Sequence, residues 1–65
     1  MQEILEIARR HVGKGVMVSS AKLCLADAEK LLAAGDVVHA KDRALKAIAY
    51  SVGMMHRDYI AAARI

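Results

Sequence analysis

Two apolar-striped segments, Ala21 to Leu32 and Val37 to Val52, meet at the dipeptide Gly35-Asp36, and that hinge constrains the fold more than any other feature. In the first segment Ala21, Cys24, Leu25, Ala28, Leu31 and Leu32 recur at i, i+3, i+4 and i+7, the spacing of one helix face. Lys22, Glu29 and Lys30 stay off that stripe. Leu23 also falls away from it, as a surface residue or as part of a second interface. Glycine adopts the left-handed conformation that ends helices, and an aspartate side chain accepts a bond from the free N–H groups that begin them. Gly35 therefore reads as the stop of one helix and Asp36 as the N-cap of the next. A hinge this short makes the pair an antiparallel helical hairpin.

No proline interrupts the pattern after Asp36, and the last helix is expected to run from about Val37 to Ala63. Its inner stripe is Val37, Ala40, Ala44, Ala47 or Ile48, and Met55. A second row, Val38, Leu45, Ala49, Val52, His56, Tyr59 and Ala63, lies beside it. Two adjacent apolar rows imply burial against more than one neighbour. Gly53 weakens this helix by about 1 kcal/mol relative to alanine and marks a close approach or a kink.

The N-terminal segment is a third helix. Ile4, Ile7, Ala8 and His11 share a face, with Leu5 and Val12 at its edge, and Glu6 stands i,i+4 to Arg10. Gly13-Lys14-Gly15 stops it, and Ser19 or Ser20 is the expected N-cap of the helix that follows. The fold class is thus all-α, with helices at about 2–12, 20–34 and 37–63 in a single domain spanning 1–65.

Helix lengths and chain size together point to assembly. A last helix of about 26 residues extends roughly 39 Å. Its half from Val52 to Ile65 overhangs the hairpin and must be covered by the N-terminal helix or by a second copy of the chain. A 65-residue chain has a core worth only about 3–5 kcal/mol and usually adds a staple. Cys24 is the single cysteine, so no disulfide forms within the chain, and a lone thiol fits a reducing compartment. With no Phe or Trp, the core is thin layers of Leu, Ile, Val, Met and Ala. A helical bundle completed by homodimerisation is the expectation.

The longest run without Lys, Arg, Asp or Glu, Ala47 to His56, is too short to span a bilayer. MQEILEIARRHV lacks the basic start, apolar centre and cleavage site of a signal peptide. A cytoplasmic location without a membrane partner is expected.

Candidate chemistry is sparse. Gly13-Lys14-Gly15 lacks the four-residue glycine spacing and the Ser or Thr after lysine that a phosphate-binding loop needs, and reads as a helix stop. His39 and Asp42 stand i,i+3, a common surface pairing, and His56 and Asp58 are placed on different faces, so no metal site is expected. Cys24, on the inner stripe, is a small hydrophobe. No catalytic residue and no cofactor follow from these patterns. Met54 and Met55 read as packing or as an adaptable contact surface.

The net charge of +3 comes from ten Lys and Arg against seven Asp and Glu. On a continuous last helix His39, Arg43, Lys46, Tyr50, Arg57 and Arg64 form one outward ridge, which reads as a solvated face or as a track for a nucleic-acid backbone.

Ala28, Leu31, Gly35-Asp36, Ala40, Ala44 and Ala47 resemble a single tetratricopeptide hairpin, although Val37 stands where that family has an aromatic residue and no terminal proline follows. The resemblance implies a helix pair that normally stacks with at least two others. The stretch DAEKLLAAGDVVHAKDRALKAIAYSVG also resembles the two-helix core of HEPN-type domains, which act as ribonucleases or as nucleotidyltransferase partners. The Arg–His spacing of the ribonuclease members is missing here, so no catalytic residue is carried over.

The expected function is therefore that of a small non-enzymatic interaction or adaptor protein that self-associates, with a protein-partner surface at Leu23, Val52, Met54, Met55 and Tyr59. The alternative is a nucleic-acid-associated protein using Arg43, Lys46, Arg57 and Arg64. A HEPN-type ribonuclease is the third reading.

Overall fold

The computed structural model describes all 65 residues, as four α-helices and no strand: α1 (Gln2–His11), α2 (Val18–Ala33), α3 (Val37–Val52) and α4 (Arg57–Arg64). Helix α3 is central. It packs most extensively against α2, then against α1 and α4.

The α2–α3 hairpin forms where its sequence places it. Gly35 has φ +83°. Its N–H donates to the carbonyl of Leu32 at 3.0 Å, and the Asp36 N–H donates to that of Leu31 at 2.9 Å. This double bond pattern satisfies the last carbonyls of α2 around a left-handed glycine. Asp36 then caps α3, its Oδ1 accepting from the His39 N–H at 3.2 Å and its Oδ2 from His39 Nδ1 at 2.8 Å.

The start of α2 differs from the serine cap expected. Met17 occupies the N-cap without a side-chain bond, and Ser19 and Ser20 lie inside the first turn. Gly15 sets this earlier start. It has φ +89°, and it lies so close to α3 that a Cβ there would stand 2.6 Å from the Ser51 carbonyl oxygen. Only glycine permits both the conformation and the approach.

The long last helix is corrected by the structure: the segment expected as 37–63 is two helices. Gly53, at φ +90° and ψ 160°, ends α3, with its N–H bonded to the Ala49 carbonyl at 2.8 Å. His56 opens α4 as its N-cap, Nδ1 accepting from the Asp58 N–H at 3.0 Å. The physical gain lies in burial. An unbroken helix would carry residues 54–65 away from the hairpin, whereas the bend returns them so that Ala62 is fully buried and Tyr59 packs on the core. The overhang that argued for a covering second copy is thereby filled by the chain itself. Met55, expected on the inner stripe, sits in the bend at 91% exposure.

The core is built from unequal contributions. Seven of its 12 buried residues are alanines: Ala8, Ala21, Ala28, Ala40, Ala44, Ala47 and Ala62. Alanines let helix backbones approach closely but remove little apolar surface. The large side chains that are fully buried are Ile4 and Leu5 from α1 and Ile48 from α3. The face expected on α1 is the face it buries, with Ile7 and Val12 also inside. Leu25, Leu32, Leu45 and Val52 pack around this centre as half-buried residues.

Ile48→Ala should cost about 2–5 kcal/mol in urea denaturation, and Leu32→Ala distinctly less, because Ile48 is sealed and Leu32 is not. Equal effects would place the core centre elsewhere. Gly15→Ala should destabilise by more than about 1 kcal/mol. Gly13→Ala, with open space around it and no positive φ, should stay within about 0.5 kcal/mol.

Candidate functional site

Asp58 is the meeting point of α1 and α4. His11 Nε2 donates to Asp58 Oδ2 at 2.6 Å, across 47 residues of sequence, with both side chains largely shielded. An ionised carboxylate only accepts, so the His11 proton sits on Nε2. His56 packs edge-on against His11, ring centroids 5.4 Å apart. Because its Nδ1 accepts from the Asp58 N–H, a neutral His56 also carries its proton on Nε2. Two histidines and one aspartate thus interlock, and each of the two ring–Asp58 bonds fixes one end of a helix.

The bond from His11 holds the Asp58 carboxyl below its usual range, and the nearby charges of His11, His56 and Arg10 act in the same direction against partial burial. Asp36 is held low too, first by the His39 N–H and then by the His39 ring.

In the fold these contacts join the end of α1 to the start of α4. Ser51, in the same region, turns its hydroxyl back to the Ala47 carbonyl at 2.9 Å. No group of three or more His, Cys, Asp or Glu side chains is arranged to hold a metal ion. No buried side-chain nitrogen or oxygen lacks a partner.

A second feature is an open groove of about 360 Å³ along α2, lined by Leu23, Cys24, Ala26, Asp27, Lys30 and Arg43. Arg43 Nε forms an ion pair with Asp27 Oδ2 at 3.2 Å along it. Leu23 stands at its edge with 73% exposure, while Cys24 is half-buried against the core.

The residues expected to form one partner surface are divided. Leu23 is on α2, and Met54 and Met55 project from the α3–α4 bend. Val52 and Tyr59 are drawn against the core by the same bend. The basic ridge is divided as well. Arg43 is bonded to Asp27, and Lys46 Nζ reaches Asp42 Oδ2 at 3.3 Å. Arg57 and Arg64 are on α4, so the four cations occupy two helices rather than one ridge.

The sequence reading missed the His11–Asp58–His56 cluster. It placed His56 and Asp58 on different faces of a helix, which holds only while both are helical. With His56 as a cap, its ring folds over the first turn. Nothing local in the sequence joins His11 to Asp58. No helix is long and apolar enough to cross a membrane. Comparisons with models of known families, with curated proteins and with solved structures find no match for this chain.

A group whose pKa is lower in the folded than in the unfolded state contributes stability above its unfolded value, lost as pH falls through the folded one. For Asp58 and Asp36 that window lies below about pH 4. In His11→Ala the Asp58 carboxyl should titrate nearer the ordinary carboxylate range by NMR, and the acid limb of the urea-stability curve should flatten. An unchanged Asp58 titration would show that His11 does not hold it.

Proposed function

We propose that this chain is a non-enzymatic interaction module that self-associates. One observation carries the reading: five large apolar side chains are buried (Ile4, Leu5, Ile7, Val12 and Ile48), whereas ten are exposed. Exposed apolar side chains that gather into contiguous patches mark surfaces that partners cover. The small core adds support, because a chain of this size without a disulfide gains from association.

The α2 groove is the surface best suited to a second copy. Leu23 supplies an apolar anchor at its edge, and Asp27, Lys30 and Arg43 supply both signs of charge along its length. A two-fold axis places each residue of one copy opposite its mate's complement, so a patch with both signs can satisfy itself. The protrusion of Leu23 and the concavity beside it have the same self-complementary character.

Nucleic-acid binding through Arg43, Lys46, Arg57 and Arg64 has less support. Arg43 and Lys46 already hold carboxylates, and the other two cations lie on a separate helix.

Sedimentation equilibrium of the full chain at micromolar concentration should give the mass of a dimer. Leu23→Glu should dissociate it while leaving the helical circular dichroism unchanged, because the side chain contributes nothing to the core. A wild-type monomer of full helicity would overturn self-association, and a Leu23→Glu dimer would move the interface away from α2.

A further inference from the structure

Three contacts bring two bends of the chain to one end of the molecule. Gly15 lies against the Ser51 carbonyl, His11 bonds Asp58, and His11 packs on His56. The segment from Arg10 to Val18 therefore sits beside the segment from Ser51 to Asp58. From the first project Val16, wholly exposed, and Met17; from the second, Met54 and Met55. These residues have no role in the core.

The charge at the same end is lopsided. Arg10, Lys14, Lys22 at the start of α2, and Arg57 are all exposed, and none is in an ion pair. Asp58, the carboxylate at the start of α4, is already engaged by His11. The chain has ten cations and seven carboxylates. Cations outside any ion pair thus neighbour the four exposed apolar side chains in sequence and across the two bends.

We propose that this two-bend end docks on the surface of an anionic phospholipid bilayer, with Val16, Met17, Met54 and Met55 entering the headgroup boundary and the four cations meeting the lipid charge. Each part of the arrangement fits that partner. Flexible, unbranched methionines adapt to a disordered apolar medium. Cations flanking apolar side chains are what an anionic interface attracts and holds, and attachment at this depth requires no spanning segment.

Charge argues against a second copy here. Two such ends face to face would oppose one unpaired set of cations to another, unlike the mixed charges of the α2 groove. Nucleic acid would account for the cations but would leave the four apolar side chains in water.

The test uses the full chain in co-sedimentation with phosphatidylcholine vesicles, with and without about one-third phosphatidylserine. Binding is expected on the serine-containing vesicles at about 50 mM salt, weakening as salt rises. Lys14→Ala and Arg57→Ala should each reduce partitioning about fivefold. The double variant Met54→Gln, Met55→Gln should reduce it about tenfold with charge and helicity unchanged. Leu23→Gln, which removes the apolar anchor of the α2 groove without changing the charge, should still bind, which separates lipid docking from self-association.

No enrichment on the anionic vesicles at low salt overturns the proposal. So does undiminished binding by the methionine double variant of retained helicity. Tighter binding of a single-stranded RNA than of the vesicles, insensitive to that double variant, would assign the end to nucleic acid instead.

Discussion

The fold rests on α1 closing over an alanine seam. Along α2 and α3 the buried positions are mostly alanine, which allows two helices to run in close contact but leaves a shallow surface with little apolar area of its own. Ile4 and Leu5 supply what the seam lacks, and with Ile48 they are the large side chains removed fully from water. Burial of each is worth about 1.5–3 kcal/mol, so two of them are a large share of what a chain of this size can gain. Without α1 the hairpin would have close helix contact and almost no core.

That dependence explains why the C-terminal segment bends. Once α1 is seated across α3, continuing α3 past Val52 would leave Tyr59 and Ala62 beyond the reach of any neighbour. Gly53 gives up the helix at small intrinsic cost, and His56 restarts it with its own ring as the cap. The bend also places Asp58 against His11, so α4, only eight residues long, is held by a bond to α1 as well as by packing. A helix of that length has little stability in isolation, and its order is tertiary in origin.

The legible parts of the sequence were those fixed by neighbours along the chain. The α1 face, the α2 stripe and the Gly35-Asp36 junction all follow from periodicity and capping chemistry within about a turn, and all three are present. The bend at Gly53 was visible only as a weak point. Whether a mid-helix glycine kinks or terminates depends on what the following residues can bury, and Ala62 joins a core built largely from helices distant in sequence, α4 packing on α1 as well as α3. The pairs Arg9–Glu29 at 3.0 Å and Arg43–Asp27 likewise join different helices, whereas the Glu6–Arg10 pairing suggested by spacing along one helix does not form. Half-exposed ion pairs are worth at most about 1 kcal/mol each, so they follow the packing and do not direct it.

The same bend decides what the surface has to offer. Had the last helix been continuous, Arg43, Lys46, Arg57 and Arg64 would have shared a ridge and Met55 would have been inside. Termination at Gly53 places the methionines outside and moves Arg57 and Arg64 onto a separate helix, while the Gly15 turn nests on α3. Apolar side chains are therefore exposed in two electrostatic settings. Around Leu23 both signs of charge are present, which suits a protein surface that can return the pattern. At the two-bend end Arg10, Lys14 and Arg57 are exposed and outside any ion pair, and repulsion discourages a partner of like sign. Surfaces so different in charge are not halves of one interface, so the two proposed contacts stand or fall separately.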